Sequence, residues 1–377
     1  MIVFRNIYSF STPRMTFHMK IIHVCQRYYP DIGGIETHVK EISEMLVKRG
    51  YDIEVVCTDP TGKLPKKEIL NGVTITRFWA FAPNQAYYFS PAMYFYLRDQ
   101  KYDVIHAHNY HSFPALFAAL ARKKRFIFTP HTFGFSSSSF RKFLHKFYKP
   151  LGSYIFRSAD KIISTAQFER NWLIDTFEIP ESKLIYIPLP INLVNRPHKE
   201  HTSGVIKIAF FGRLSQEKNL KVLISAFQLV KQHEKCSLFI AGDGPLREEL
   251  EEFGKNFSDV NFLGRLSQND LELFLDDVDM FVLASKFEVS PRAVIEAMAR
   301  EIPVVTTPVG ELPQIFQHGK DCMFTKINDP HDMAENILML INDKKLATEI
   351  AKSGRTIVEK RYDINIIISD YIRIYSQ

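Results

Sequence analysis

The chain has 377 residues, of which 46% are apolar and 24% charged, which is the composition of a soluble globular protein long enough for two domains. It has no apolar run of about 18 residues, so we expect no transmembrane helix. Its four scattered cysteines lack a CxxC pair, so we expect reduced thiols in a cytosolic protein. Residues 1–200 hold 27 Lys/Arg and 16 Asp/Glu (+11), whereas residues 201–377 hold 21 and 26 (−5). This asymmetry predicts that the first half meets an anionic partner: nucleic acid, an anionic membrane or a phosphorylated substrate.

Residues 1–18 are unlike the rest of the chain. Their apolar stretch is broken by Arg5 and Asn6, which argues against a secretory signal. A predicted buried strand follows Met19 directly. We therefore expect Met19 or Met15 to be the real start, or the preceding tail to be an appendage.

The first half alternates buried apolar runs with amphipathic stretches, which indicates strands and helices in turn. In chain order the pattern predicts strand 20–25, a helix that Gly50 ends, strands 52–57, 73–77 and 104–108, helix 112–121, strands 125–129 and 162–164, a short helix and strand 185–187. Gly33 and Gly34 place flexible backbone at the start of the first helix. Adjacent glycines are not the GxGxxG fingerprint, which argues against an NAD-dependent dehydrogenase.

Three features of the first half admit two interpretations each. The aromatic stretch 78–89 could line an acceptor groove, but we favour a place in the core. His106 and His108 share one face of a strand, yet no acidic or cysteine ligand is spaced to complete a set, so we expect no metal site. His131 lies just past a strand's carboxyl end, where ligands bind in open α/β sheets, unless it is a loop histidine bonded to backbone.

The segment 122–157 contains nine Lys/Arg and no Asp/Glu. A helix within it would present Phe140, Phe143, Leu144, Phe147 and Leu151 on one face. Such a basic amphipathic helix either packs on its domain or lies on an anionic membrane, and the dense alternation of aromatic and basic residues favours the membrane. No nucleic-acid-binding motif is present, so we expect no nucleic-acid partner.

A linker over 190–204 separates this half from a second alternating pattern. That pattern predicts strand 205–210, helix 219–231, strand 237–241, helix 245–253, strand 260–263, helix 268–276, strand 279–283, a helix from 291, strand 303–306, a helix near 311–317, strand 322–325 and three further helices. Alternating βα units on both sides of a linker predict an α/β protein of two doubly wound parallel-sheet domains with ligands between them.

Two glutamates eight positions apart flank the start of the helix at 291. Glu288 precedes it and Glu296 lies within it, with Ser290 as the expected N-cap and Pro291 at the first helical position. The amino end of a helix that follows a buried strand is a site for phosphate. Alternatively, Arg292 and Glu296 form an ordinary i,i+4 ion pair worth about 0.2–0.5 kcal/mol.

Four segments, in this order and spacing, resemble family 4 of the retaining glycosyltransferases, which have the GT-B fold. They are Gly33–Glu36, Phe211–Asn219, Ala241–Leu246 and Ser285–Arg300, the last with its E-x7-E motif. The resemblance covers about 350 residues and implies two Rossmann-like domains that face a cleft. The implied organisation is an extension over 1–18, an acceptor-binding domain over 19–195, a nucleotide-sugar-binding domain over 196–360 and a helix over 361–377 that crosses back to the first domain.

The resemblance also implies a role for individual residues. Arg213 and Lys218 would bind the donor diphosphate and neutralise the charge that develops as the glycosidic bond breaks. The diphosphate set is completed by Gly33, Gly34 and the backbone amides near Arg292. Glu296 would bind the ribose hydroxyls. Glu288 and His131 are the implied catalytic residues, Glu288 at the donor sugar and its cationic transition state, and His131 beside sugar and acceptor; the base would lie near Gly242, Arg265 and Leu266.

The implied reaction is transfer of a sugar from a UDP- or GDP-linked donor to a glycan or lipid-linked acceptor, with retention of configuration. No metal or cofactor besides the donor is implied, and we expect a cytoplasmic protein at the inner face of the membrane. A non-catalytic GT-B scaffold and a sugar-nucleotide epimerase of the same fold are the alternatives. Departures from the family pattern at Ala284, Val289, Glu311 and 189–192 affect the identity of the donor sugar more than the reaction.

Overall fold

The computed structural model describes residues 19–31, 33–83, 87–132, 139–193, 204–255 and 257–377, with side chains at all of them except 139–147 and 268. The expected N-terminal extension and most of the linker lie outside these ranges. So do the side chains from Phe140 to Phe147 that were predicted to form the membrane-facing helix surface.

The first domain is built on an eight-stranded sheet with the order β3-β4-β2-β1-β5-β6-β7-β8. Its strands are β1 Lys20–Val24, β2 Asp52–Thr58, β3 Lys67–Leu70, β4 Val73–Phe78, β5 Val104–His108, β6 Arg125–Thr129, β7 Lys161–Ser164 and β8 Leu184–Tyr186. Its helices are α1 Gly34–Lys48, α2 Pro91–Asp99, α3 Phe113–Ala121, α4 Ser139–Ser158 and α5 Gln167–Phe177. Strand β3 runs antiparallel to β4, and the other neighbouring strands are parallel.

The second domain is built on a six-stranded parallel sheet with the order β11-β10-β9-β12-β13-β14. Its strands are β9 Ile206–Phe211, β10 Cys236–Ala241, β11 Val260–Gly264, β12 Met280–Leu283, β13 Val304–Thr306 and β14 Met323–Phe324. The helices that follow β9 are α6 Leu220–Lys231, α7 Arg247–Gly254, α8 Gln268–Leu275, α9 Arg292–Met298, α10 Leu312–Ile315, α11 Pro330–Asn342, α12 Lys344–Tyr362 and α13 Ile364–Ser376.

Buried apolar side chains cover both faces of the first sheet. On one face, α13 at the end of the chain packs beside α1, with Ile367, Ile368 and Tyr371 in the same core as Val39 and Ile42 of α1. Because α12 belongs to the second domain and α13 to the core of the first, the end of the chain ties the two domains together.

The apolar periodicity predicts these elements well, and β5 and β6 have the bounds that it gives. It missed β3, whose hairpin turn is marked by the positive φ angles of Asn71 and Gly72. It also missed α2. The preference for core placement of 78–89 is wrong in part, since Tyr88 is buried but Trp79 and Phe81 are exposed.

Of the helices that the structure describes, none combines the length and the apolar character that crossing a bilayer requires. The basic segment 122–157 is confirmed as helical over α4, and Leu151 and Tyr154 on this helix are partly exposed.

Candidate active site

The glycine loop after β1 leads directly into α1. Gly33 is the residue before the first helical turn and has extended backbone angles, φ −165° and ψ 173°. A Cβ atom at Gly33 would lie 2.3 Å from Glu36 Oε2, whereas one at Gly34 would meet no atom within 4 Å. The loop therefore has space above Gly34 but none at Gly33, where the Glu36 carboxylate, itself bound to Arg27, approaches the chain.

His131 follows β6 at the carboxyl edge of the first sheet. Its backbone has a positive φ of 49°, which residues other than glycine rarely adopt. The surrounding structure must therefore hold His131 in this conformation. Its Nε2 lies 3.4 Å from Nδ1 of His108. Burial lowers the pKa of His131 to about 3, so the imidazole is neutral at physiological pH.

Two glycines bring the loops after β9 and β10 into close contact. Gly242 has a φ of 142°, and a Cβ atom at this position would lie 1.9 Å from the carbonyl oxygen of Gly212. Only glycine fits here, because any side chain would collide with backbone. The contact positions Arg213, which follows Gly212 directly and has an exposed side chain.

Lys218 and Glu288 form an ion pair across two loops. Lys218 ends a short 3₁₀ turn over Gln216–Lys218, and its Nζ lies 2.5 Å from Glu288 Oε1. The same oxygen accepts a hydrogen bond of 2.7 Å from Ser285 Oγ. These two residues are 70 positions apart in the sequence and are in direct contact in the fold. Both side chains are largely buried.

Arg292 is held by a carboxylate on each side. Its Nε donates to Glu296 at 2.7 Å, so the alternative i,i+4 ion pair does form. Its two terminal nitrogens donate to Glu41 on α1 at 2.9 and 2.6 Å. Burial would lower the pKa of Arg292, but Glu296 and Glu41 outweigh it and raise the pKa further above its ordinary value.

A cavity of about 360 Å³ lies between the domains around this ion pair. Arg292, Glu296 and Leu266 line it from the second domain, and Glu41 lines it from α1. Among the described residues, its lining does not include Lys218, Glu288 or His131. The structure thus separates the candidate residues into this cavity, the Lys218–Glu288 loops, and His131, Gly33 and Gly34 of the first domain, which belong to neither. Arg265 is exposed on the turn before Leu266.

Ser290 does not cap α9, which corrects that prediction. Pro291 occupies the cap position without a side-chain cap, and Ser290 Oγ instead donates to Glu311 Oε1 at 2.6 Å. Glu311 also accepts hydrogen bonds from Tyr186 at 2.9 Å and Tyr362 at 3.1 Å. Burial raises the pKa of this carboxyl group. The Glu311 departure therefore supplies a buried anchor for the loop that carries Glu288.

Behind His131 lies a group of five histidines, which we call the histidine cluster. Its members are His23, His38, His106, His108 and His131. The ring nitrogens of two overlapping triplets lie within 4.8 Å of one another. Two of the separations are hydrogen-bond distances, 3.0 Å between His23 and His108 and 3.4 Å between His108 and His131. Sequence reasoning noticed His106 and His108 but missed His23, which the parallel register of β1 and β5 places beside His106.

Two family models match consecutive halves of the chain. The model for glycosyltransferase family 4 matches residues 32–195, and the model for glycosyl transferases group 1 matches residues 194–357. The chain belongs to glycosyltransferase family 4. Its GT-B fold is shared with solved structures: HepE of Anabaena in complex with UDP has a TM-score of 0.77 at 18% identity, over 95% of this chain and 100% of that one.

Relatives of this glycosyltransferase cover nearly its whole length. An uncharacterised glycosyltransferase of Methanocaldococcus jannaschii is 29% identical over 88% of this chain and 92% of its own. The alpha-monoglucosyldiacylglycerol synthase of Streptococcus pneumoniae is 24% identical over 92% of this chain and 82% of its own. A sucrose-phosphate synthase from Thermosynechococcus elongatus has a TM-score of 0.77 at 17% identity, over 96% of this chain and 99% of that one.

Proposed function

We propose that this glycosyltransferase moves a hexosyl group from a nucleoside-diphosphate sugar to a glycan or lipid-linked acceptor, with retention of configuration and without a metal ion. The observation that carries the proposal is the Lys218–Glu288 contact at 2.5 Å, with Arg213 on the adjoining loop. A cation paired with a carboxylate, and a second cation five residues earlier in the chain, match the charges of the reaction, in which a diphosphate leaves and the sugar becomes cationic.

Each charge has a defined task in this mechanism. Lys218 and Arg213 offset the negative charge that grows on the leaving diphosphate, as a divalent ion does in other transferases. Glu288 stabilises the positive charge that grows on the sugar carbon. Ser285 fixes the orientation of the Glu288 carboxylate by its 2.7 Å hydrogen bond, so little reorganisation is needed during reaction.

The nucleoside portion of the donor would occupy the cavity between the domains. A carboxylate is a good acceptor for two neighbouring ribose hydroxyls, and Glu296 lines the cavity together with Leu266, which would contact the base. Donor binding would require Glu296 to exchange its bond from Arg292 for the ribose. The Arg292 guanidinium keeps Glu41 as a partner, so the exchange does not strand a buried cation.

We favour a uridine nucleotide and a lipid-linked acceptor. HepE, which shares the fold, was solved with UDP and with UDP-glucose. One relative is named for a glycolipid product, alpha-monoglucosyldiacylglycerol synthase. Exposed apolar side chains on the first domain include Trp79, Phe81 and Phe89. With the basic segment 122–157, these side chains have the chemistry of a surface that meets anionic lipid, at the cytoplasmic face of the membrane.

A transfer assay tests the proposal. The protein is incubated in EDTA with UDP-, GDP- or ADP-linked hexoses and membrane lipid extract, and glycolipid products are detected by mass spectrometry. We expect one donor to support transfer and Lys218→Ala to lower kcat by about 10²–10³-fold. Binding of nucleotide without release of nucleoside diphosphate would indicate a scaffold, and conversion of the donor to an epimer without transfer would indicate an epimerase.

A further inference from the structure

The histidine cluster is buried in the first domain, and the family resemblance implies a role for only one of its five members, His131 beside sugar and acceptor. Strand β1 contributes His23 and β5 contributes His106 and His108, while His38 lies on α1. His23, His38, His106 and His108 are fully buried. So many imidazoles in a core require partners for ring nitrogens that water cannot reach.

Three members form a hydrogen-bonded chain that ends at His131. Nε2 of His131 lies 3.4 Å from Nδ1 of His108, and Nε2 of His108 lies 3.0 Å from Nδ1 of His23. The remaining nitrogen of His23, Nε2, has no hydrogen-bond partner among the described residues. The chain thus runs from the domain interior to the carboxyl edge of the sheet.

The other two members take partners from α13 and from β6 and do not compete with this chain. Nδ1 of His106 pairs with the Tyr375 hydroxyl at 2.8 Å, and its Nε2 pairs with Thr129 Oγ1 at 2.8 Å. Nε2 of His38 lies 3.2 Å from the Tyr371 hydroxyl. The pairing of His108 with both of its neighbours is therefore unambiguous.

The unpartnered nitrogen decides the direction of the chain. A neutral imidazole has one N–H donor and one acceptor nitrogen, so the protons must all lie on Nδ1 or all on Nε2 in these three rings. If they lay on Nε2, His23 would bury an N–H group that donates to nothing. If they lie on Nδ1, His23 leaves only a lone pair without a partner. Buried donors without acceptors are the rarer and costlier arrangement, which favours Nδ1.

We propose that His23 and His108 are positioning residues that fix His131 in the tautomer with its proton on Nδ1. His23 Nδ1–H donates to His108, and His108 Nδ1–H donates to Nε2 of His131. Nδ1 of His131 is then a neutral hydrogen-bond donor at the carboxyl edge of the sheet, and its basic nitrogen is occupied. This excludes His131 as the general base, a consequence that rests on the proposed function, whereas the tautomer itself does not.

Nitrogen-15 NMR of histidine-labelled protein, dialysed against EDTA, tests the tautomer directly. His131→Gln identifies the His131 signals by their loss. We expect protonated Nδ1 and unprotonated Nε2 for His131 in the wild type and in His23→Asn, whose amide keeps a donor at the position of Nδ1. At pH 8, His23→Asp places acceptor oxygens where His23 Nδ1–H donates, so His108 must donate through Nε2–H and we expect protonated Nε2 on His131. Protonated Nε2 on His131 in the wild type, or an unchanged tautomer in His23→Asp, would overturn the proposal.

Kinetics separate positioning from packing. In His23→Asp, which reverses the chain, we expect kcat to fall by about 3- to 10-fold at unchanged donor KM, with recovery in His23→Asn. Tyr375→Phe is the matched control, because it removes a hydrogen bond of the same cluster outside the chain, and it should keep the wild-type tautomer of His131. Equal losses of kcat in all three variants would contradict positioning. If the wild type transfers no sugar, the proposed function fails, while the NMR result still decides the tautomer.

Discussion

Arg292 of the second domain donates two parallel hydrogen bonds to Glu41 of the first, at 2.9 Å and 2.6 Å, although the two residues are 251 positions apart. The pair is largely buried, and it lines the cavity that the donor nucleoside is proposed to enter. A bidentate arginine–carboxylate pair fixes distance and orientation together, so this contact sets how α1 and α9 meet across the cleft.

Glu41→Gln should destabilise the protein because it removes the charge that faces Arg292. A hydrogen bond to a charged group contributes about 1.5–3 kcal/mol, and Arg292 keeps Glu296, so we expect a loss in that range in urea unfolding. Glu349→Gln is the control: it removes the charge from an exposed i,i+4 pair with Lys345 on α12. Its effect should stay below about 1 kcal/mol. Equal effects of the two variants would show that the domain contact contributes nothing.

Glu311→Ala should destabilise the loop that carries Glu288. The substitution leaves the hydroxyl groups of Ser290, Tyr186 and Tyr362 without their shared acceptor. Each buried unsatisfied group costs about 1–3 kcal/mol, so we expect the free energy of unfolding to fall by at least about 2 kcal/mol. Glu335→Ala, at an exposed position on α11, should change it by less than about 0.5 kcal/mol. A Glu311→Ala protein as stable as this control would contradict the anchoring role.

His23 should make stability depend on pH. Burial lowers its pKa to about 3, whereas an unfolded histidine has a pKa near 6.5. Between these values the unfolded chain binds one more proton, so stability is lost as the pH falls, by about 2 kcal/mol from pH 7 to pH 5. His23→Asn removes this contribution. We expect urea unfolding of the variant to show a correspondingly smaller loss over the same interval. Parallel pH profiles would mean that His23 is protonated in the folded protein as easily as in the unfolded one.

The basic segment of the first domain should bind anionic lipid. Arg122 lies over the ring of Tyr154, which is partly exposed on α4, and Lys149 is also on α4. Reversing both charges with Arg122→Glu and Lys149→Glu should therefore weaken binding to anionic lipid. At about 1 kcal/mol per basic residue, we expect at least a tenfold loss in co-sedimentation with phosphatidylserine vesicles. Lys344→Glu with Lys345→Glu, exposed on α12, makes the same change in net charge. Equal binding by both double variants, or binding insensitive to salt, would refute the membrane surface.

Local sequence patterns predicted the elements but not their side-chain partners. Apolar residues mark β5 and β6 to the residue, because Val104, Ile105 and Ala107 in β5 and Phe126–Phe128 in β6 supply the buried side chains that a central parallel strand needs. The two-residue turn Asn71-Gly72, which connects β3 to β4, is a recognisable hairpin signal in the sequence, and it was missed.

Contacts between distant elements carried no such signal. Glu41 resembles any glutamate on the exposed side of α1 until α9 is brought against it. Ser290 has the residue type of an N-cap, but a buried carboxylate at Glu311 gives its hydroxyl a better partner. The histidine cluster required the register of β1 against β5, which places His23 beside His106. Family resemblance supplied the roles of Lys218 and Glu288, and the structure added their contact.

Ligand-induced stabilisation tests the central claim most directly. In EDTA, the unfolding temperature is measured with UDP, GDP and ADP and with their sugars for the wild type, Lys218→Ala and Glu296→Ala. A nucleotide at 100 times its Kd stabilises the folded protein by about 2.7 kcal/mol, so one nucleoside-diphosphate family should raise the wild-type unfolding temperature by several degrees. We expect this shift to be lost in both variants. A wild type that no nucleotide stabilises, or variants stabilised as strongly as the wild type, would contradict it.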